Sequence, residues 1–278
     1  MAEAKAQAES GARRLSVLPG GDVGASAGLP LVGRRAVVSG AASGIGAAAV
    51  ASFVAAGADV VGLFRTTPPP DELRELCEWV ACDVRDRGSV DAAFDQAASL
   101  LGGIDVLLHA AGGWWPGTPE SLSDDEFDLV VDTNLRSTVI TNQAAFAHMR
   151  HSGGQIINLG SAEGIRGNPM APHYAMAKAG VHAWTRSVAA AWGRSGVTVN
   201  ALAPAVSTRN AERLWEHLGE ETAAVFKEQL RARMPLRGEL GDPDADLGPV
   251  MVFLAGPGAR FMTGQLIAVD GGLHMLGA

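Results

Sequence analysis

Ser39-Gly40-Ala41-Ala42-Ser43-Gly44-Ile45-Gly46, entered from Ala36-Val37-Val38 and left through Ala47-Ala48-Ala49-Val50, decides the fold of this chain. A short β-branched run feeds a glycine turn, and the turn opens an Ala-rich stretch of helical character. Gly40 permits the tight turn. The missing side chains at Gly44 and Gly46 let backbone approach a pyrophosphate, and the helix amino end offers unpaired N–H groups with partial positive charge. Ser43 and Ile45 complete this candidate cradle. A tightly packed turn without ligand would use the same glycines, but a strand before and a helix after favour the nucleotide reading. No Gly-Lys-Ser/Thr follows, which disfavours a nucleoside triphosphatase.

Outward from the loop, strand-like and helix-like stretches alternate. Candidate strands lie at 36–39, 59–64, 79–82, 105–110, 155–159, 197–202 and 265–269, and helical patterns fill 45–56, 89–101, 123–150, 175–191 and 244–254. Ser123 with Glu126 forms a capping box before Phe127, Leu129 and Val130, which marks a helix start. Near-continuous apolar strands separated by helices imply a parallel sheet covered on both faces. The expected fold is α/β: a Rossmann-type, doubly wound sheet of seven parallel strands, in a single domain over 31–278. Segment 207–241 breaks the alternation with helical fragments at 211–218 and 223–234. An insertion after a strand's carboxyl end reads as a substrate-covering element. The first thirty residues are rich in Ala and Gly without the continuous apolar core of a secretion signal, so 1–30 reads as a flexible extension.

Composition narrows the partners. The 278 residues carry a net charge of −8 spread along the chain, and 47% are apolar, enough for a full core. Nucleic acid and anionic membrane surfaces both call for basic patches, so neither is expected as a partner. No apolar run has the length to span a bilayer. Cys77 and Cys82, the only cysteines, lack metal-type spacing and read as ordinary thiols of a reducing, cytoplasmic compartment.

Tyr174-Ala175-Met176-Ala177-Lys178 sets a phenol and an ammonium four residues apart, hence on one helix face. A free tyrosine titrates near about 10 and is a poor base at neutral pH. An adjacent cation favours its phenolate, and a phenol so tuned can give a proton to a carbonyl oxygen or take one from a hydroxyl. A surface Tyr–Lys pair is the plainer source of that spacing taken alone. Ser161, after the fifth strand, offers a hydroxyl to a developing oxyanion. Asn134 places an amide inside a long helix, where it needs a specific partner. Asp83, followed by Val84, ends the third strand, where a carboxylate can accept from an adenine amino group. His109-Ala110-Ala111-Gly112-Gly113 puts small residues at the end of the fourth strand, where a ribose must lie close to backbone.

Together these residues resemble the short-chain dehydrogenase/reductase family, in its single-domain branch, from about Arg34 to Gly272. Gly40, Gly44 and Gly46 match the Gly-x-x-x-Gly-x-Gly loop of that branch, and His109-Ala110-Ala111-Gly112 its Asn-Asn-Ala-Gly element. Asn134, Ser161, Tyr174 and Lys178 match the catalytic tetrad, and Val269-Asp270-Gly271-Gly272 the closing strand motif. The resemblance implies an NAD(P)-dependent oxidoreductase that passes a hydride directly between nicotinamide and a carbonyl or alcohol carbon, with no metal. It implies Tyr174 as general acid/base and Ser161 as the group polarising the substrate oxygen. Lys178 would lower the tyrosine's pKa and bind the nicotinamide ribose, and Asn134 would hold a water of a proton relay. Coenzyme contacts would extend to Pro204, Val206 and Thr208. The chain departs from the pattern in four places. Ser39 replaces a Thr, His109 and Ala110 replace two asparagines, Ala205 follows Pro204 where Gly is usual, and Thr208 stands one position early.

At the end of the second strand Phe64 occupies the place of an acidic residue that would bind the ribose 2′-hydroxyl of NAD, and it is followed by Arg65. The arginine's planar fork suits a 2′-phosphate, so NADP is the expected coenzyme, although Ser43 stands where NADP-preferring relatives often carry a basic residue. Trp114, Trp115, the 162–172 stretch and Leu214, Trp215 and Phe226 of the insertion are expected to wall an apolar pocket. A bulky, cyclic or aromatic ketone or secondary alcohol fits such walls, with Glu163, Arg166 and Asn168 near its polar substituents. By resemblance the chain forms a homotetramer or homodimer. A 3-ketoacyl-carrier reductase of the same family and a non-redox cofactor-binding protein of the same fold are the alternatives.

Overall fold

The computed structural model describes residues 28–275, so residues 1–27 of the expected 1–30 extension lie outside the described residues. The elements follow in chain order as β1 (Arg35–Ser39), α1 (Gly44–Ala55), β2 (Asp59–Phe64), the single turn α2 (Asp71–Arg74), β3 (Glu78–Ala81), α3 (Arg87–Leu101), β4 (Val106–His109), α4 (Asp124–Val131), α5 (Ser137–Met149) and β5 (Gly154–Leu159). The turn α6 (Glu163–Arg166) comes next, then α7 (Pro172–Trp192), β6 (Val197–Pro204), α8 (Arg209–Leu218), α9 (Glu220–Arg233), α10 (Gly248–Ala255) and β7 (Leu266–Val269). One parallel sheet holds all seven strands in the order β3-β2-β1-β4-β5-β6-β7. Winding reverses between β1 and β4, and their carboxyl ends part into a crevice.

The strands are apolar throughout because both sheet faces are covered. Val37 of β1 points to a core with Phe94, Leu107, Ile156 and Val188. Its neighbours Ala36 and Val38 point to the opposite core with Phe53, Met251 and Leu254. Phe53 and Phe94 are fully buried, each contributing roughly 1.5–3 kcal/mol by area.

Two helices differ from their sequence pattern. The stretch read as one helix over 123–150 is α4 and α5 joined by a π-helical turn, Asp132–Arg136. It does start at the capping box, with the Ser123 hydroxyl accepting from Glu126 N–H at 3.3 Å and the Glu126 carboxylate accepting from Ser123 N–H at 2.9 Å. Likewise α10 is preceded by a π turn, Pro243–Leu247, capped by Asp242. In the insertion, Lys227 Nζ of α9 lies 5.6 Å from the Trp215 ring centroid of α8, while the Leu214 side chain lies outside the described ones. Cys77 and Cys82 are free thiols, and burial pushes both up to about 11. No helix among the described residues is long and apolar enough to cross a membrane.

At the amino ends of β1 and β4, Arg35 clasps Asp105. The guanidinium donates at 2.8 and 2.7 Å to the two carboxylate oxygens, and Arg35 N–H adds a third bond at 3.0 Å. Burial pushes the Asp105 carboxyl up, but the Arg35 hydrogen bonds and the Arg34 charge outweigh it and hold the group below its ordinary range. A carboxyl lowered in the folded state contributes stability above its unfolded pKa, and that stability is lost as pH falls through the folded value. Asp105→Asn is therefore expected to cost about 2 kcal/mol at neutral pH. Chemical denaturation across a pH series should show the gap to wild type closing in acid. A gap that stayed constant would mean that charge plays no part in the clasp.

Candidate active site

The crevice is lined at its base by backbone packed on backbone. Gly40 has φ 65°, and a Cβ there would lie 2.8 Å from the Ala111 backbone; a Cβ on Gly46 would collide with the Gly40 carbonyl. Ser43 enters α1 in extended conformation and makes no capping hydrogen bond, so no side chain at the N-cap occupies the first-turn amides of this 12-residue helix. Ile45 is half-buried behind them. Across the crevice the Thr208 Cβ stands 3.8 Å from the Cβ position of Gly44, while its hydroxyl caps α8 by accepting from Ala211 N–H at 3.4 Å. An uncapped helix start above side-chain-free backbone fits the pyrophosphate of a dinucleotide. Pro204 pairs with Val269 at the end of β6, and the buried Val206 bridges to Gly241, which ties the loop after β6 to the end of the insertion.

His109, where the family pattern has an asparagine, joins β1 to α5 through β4. Ser137 Oγ gives its hydrogen to the Thr133 carbonyl at 2.6 Å, so His109 Nε2 must donate to that oxygen at 3.1 Å. Nδ1 is then the acceptor, facing Ser39 Oγ at 2.8 Å, and Ser39 Oγ in turn accepts from Ala111 N–H at 3.2 Å. Burial first, and Lys178 second, drive the imidazole down to about 3, and it stays neutral. A Ser39–His109–Ser137 chain thus holds the loop at the position where the family pattern has asparagine. Ala110 N–H continues the ladder to the Ser39 carbonyl at 3.2 Å.

At the far end of the crevice Asp83 is not a free carboxylate. Arg85 forks it at 3.0 and 2.7 Å and holds it down at about 2, with Arg65 adding a weaker pull. Val84 is buried beside it, and Arg65 is exposed at the end of β2.

The reactive end is built on α7, which starts on Pro172 and carries Tyr174, Lys178 and His182 at four-residue steps. Lys178 is 5% exposed; its Nζ donates to the Leu159 carbonyl at 2.8 Å and lies 5.5 Å from the Tyr174 ring centroid. Burial brings its ammonium down to about 8, with Glu163 opposing. Ser161 Oγ accepts from Glu163 N–H at 3.2 Å, which leaves its own hydrogen free to donate. Tyr174 is half-buried, and its phenol is pushed above the ordinary value by burial first and Glu163 second, with Ser161 pulling the other way. The sequence pointed to a phenol made more acidic by Lys178. The structure differs because Lys178 lies beside the ring and donates to the Leu159 carbonyl, while a carboxylate, that of Glu163, stands nearby.

Asn134 sits in the π turn, 1% exposed. Its Nδ2 donates to the Gly113 and Val130 carbonyls at 2.9 and 3.0 Å, and its Oδ1 accepts from Gly113 N–H at 3.2 Å. A Cβ on Gly112 would come within 2.9 Å of that oxygen and 3.8 Å of Lys178 Nζ. One lone pair on Oδ1 remains for a further donor.

Glu163, read from sequence only as a contact for substrate substituents, is an electrostatic member of the site. It is half-buried, accepts from Asn168 Nδ2 at 2.9 Å, and is pushed up by burial, with Asn168, then Trp114, then Lys178 opposing. Trp114 therefore stands at the reactive end as expected, whereas the Trp115 ring folds back over Gly113, and Arg166 is exposed.

The family model described as enoyl-(acyl carrier protein) reductase matches residues 40–274. The chain is 36% identical over 246 residues to the short-chain reductase protein NovJ of Streptomyces niveus, covering 85% of this chain and 92% of that protein. It is also 36% identical over 247 residues to the cis-4-hydroxycyclohexanecarboxylate dehydrogenase of Sinomonas cyclohexanicum, covering 86% and 96%. Among solved structures, one from Sinorhizobium meliloti 1021 assigned as a short-chain alcohol dehydrogenase superposes with a TM-score of 0.80 at 33% identity, over 87% of this chain and 97% of that one.

Because Tyr174 is the only tyrosine in the chain, ultraviolet difference titration reads its phenol alone. Without coenzyme the midpoint is expected above the ordinary value of about 10. Glu163→Gln removes a negative charge that disfavours phenolate, so the midpoint should move down. Tryptophan emission followed alongside reports whether the chain stays folded. A wild-type midpoint below the ordinary value, or one indifferent to Glu163→Gln, would contradict the electrostatics described.

Proposed function

This chain belongs to the short-chain dehydrogenase/reductase family and is an NAD(P)-dependent oxidoreductase of ketone/alcohol pairs, and from that premise we propose that Tyr174 is its general acid/base, that NADP is its preferred coenzyme, and that its substrate is bulky and apolar or cyclic. One observation carries the proposal: Tyr174, Lys178 and Ser161 converge at the end of β5, next to a glycine loop shaped for a pyrophosphate.

When bound, the nicotinamide supplies or accepts the hydride. Ser161 donates its free hydroxyl hydrogen to the substrate oxygen and steadies negative charge there. For reduction, the Tyr174 hydroxyl gives that oxygen a proton; for oxidation, the phenolate takes it. The raised phenol pKa keeps Tyr174 protonated at neutral pH, the form that reduction uses. Lys178 supplies a buried donor for the ribose, and the spare lone pair of Asn134 is the place for a relay water. Gly40, Ser43, Gly44, Ile45 and Gly46 would take the pyrophosphate, Asp83 and Val84 the adenine, and Ala110, Ala111 and Gly112 a ribose. Pro204, Val206 and Thr208 would meet the carboxamide side.

The substrate reading is supported by Trp114 beside Glu163 and by the name of the Sinomonas relative, which acts on a ring alcohol. Residues 207–241 would cover that substrate within one catalytic domain, 31–278. A carrier-bound 3-ketoacyl substrate is the second reading, favoured by the description of the matching family model. The protein would act in the cytoplasm, and its assembly as a homotetramer or homodimer is supported by an edge strand at β7 and by exposed Phe127 and Leu129 on α4 and Phe261.

Tyr174→Phe should lower kcat on the order of 10²–10⁴-fold while coenzyme still binds and the fold persists. Turnover left intact would remove Tyr174 from the chemistry. The ratio of kcat/KM for NADP over NAD should exceed one and fall roughly tenfold or more in Arg65→Ala, as for loss of a charge-assisted hydrogen bond. An NAD preference in the wild type would mean that Arg65 stacks or points to water.

A further inference from the structure

The sheet ladder at the end of β5 runs out at Ser161. Gly160 N–H still donates to the Leu202 carbonyl at 2.7 Å, but the next amide, that of Ser161, donates to His182 Nε2 at 3.2 Å. His182 lies one helical turn beyond Lys178 on α7 and is 4% exposed. The chain wraps closely around its ring. A Cβ on Gly160 would lie 2.7 Å from Nε2, and a Cβ on Gly164 would lie 2.7 Å from Cε1 and equally close to the Ala179 backbone nitrogen. Two side chains of one helix thus bracket the strand end, Lys178 donating to the Leu159 carbonyl and His182 accepting from the Ser161 amide.

We propose that His182 is the positioning residue for Ser161: its unprotonated Nε2 ties the serine loop to the same helix that carries Tyr174 and Lys178, and so fixes the serine hydroxyl relative to the phenol. An Nε2 that accepts from an amide requires the ring proton on Nδ1. The ring's surroundings favour that neutral state, since burial first and the cations Lys178 and Arg186 next bring it down to about 4. Hydrophobic packing alone does not account for the arrangement. A leucine would leave the Ser161 amide, beyond the reach of the sheet ladder, without its acceptor.

The inference rests on the proposed role of Ser161, and its test separates the two. Kinetics with a simple cyclic ketone, together with coenzyme Kd from fluorescence titration, would be compared for wild type, His182→Leu, His182→Gln, Ser161→Ala and the Ser161→Ala/His182→Leu double variant. Ser161→Ala should lose on the order of 10²–10³ in kcat, as for removal of one oxyanion donor. His182→Leu should lose tenfold or more in kcat with coenzyme Kd within twofold. The amide oxygen of His182→Gln reaches the Ser161 N–H and should restore most of that loss. In the Ser161→Ala background His182→Leu should cost nothing further. Wild-type kcat in His182→Leu, an equal loss in both backgrounds, or no recovery in a folded His182→Gln would each overturn the proposal. Should His182→Leu not fold, His182→Asn, one methylene too short, takes its place against His182→Gln. Independently of turnover, long-range ¹⁵N spectra should show His182 Nε2 unprotonated and the proton on Nδ1. A protonated Nε2 would sink the anchor. The expected tautomer in a protein that turns over no ketone or alcohol would support the anchor and overturn the proposed reaction.

Discussion

The grip of α7 on the end of β5 is the contact on which the rest of the site depends. A parallel strand ends with backbone groups that the sheet no longer satisfies, and here both come from α7: a donor for the Leu159 carbonyl and an acceptor for the Ser161 amide. Close approach needs small residues, and Gly164 meets the Ala179 backbone where any side chain would clash. Deeper in the same interface, Asn158 of β5 and Asn142 of α5 exchange amide bonds at 2.8 and 3.0 Å, and Asn158 also donates to Thr185 of α7 at 3.1 Å. Directional bonds of this kind fix how far α7 slides along the strand, which apolar packing alone leaves loose. Tyr174 and Ser161 are held in one frame for that reason.

A similar polar tie sets the other wall of the crevice. The Ser39–His109–Ser137 chain links the end of β1, the end of β4 and the start of α5, and the Ala111 amide hangs from it. The imidazole serves as both donor and acceptor, and does so only while neutral, which complete burial ensures. The π turn before α5 acts in the same direction. An extra residue in the helical turn accompanies the placement of Asn134 against Gly113, so the strand β4 and the helix behind it share one loop.

Much of this was legible in the residues. The glycine loop lies between strand and helix as its pattern requires, the seven apolar runs form the seven strands, and the phenol, ammonium and serine hydroxyl do converge. What stayed hidden has a common physical cause. The π turn lies inside one uninterrupted helical stretch, and 123–150 carries no Gly or Pro to mark the break. His109 and His182 look like two ordinary histidines until the chain brings a serine or a free amide to their nitrogens. The fork of Arg85 on Asp83 joins residues two apart, a spacing without meaning until the strand end turns. Glu163 was visible as an acid in a loop, but its nearness to Tyr174 depends on how α6 leans on α7.

The ionisable groups at the reactive end share one bias. Burial raises Tyr174 and Glu163 and lowers Lys178 and His182, so each is moved toward its neutral form. Such a site favours a phenol that keeps its proton, and it makes the energy of the phenolate sensitive to any charge brought close, since screening by water is weak there. A positive charge beside Tyr174 lowers the cost of losing that proton; removing the charge restores it. Glu163 raises and the Ser161 hydroxyl lowers the resting pKa of the phenol, and the direction in which the proton moves follows from which charge is added next to them.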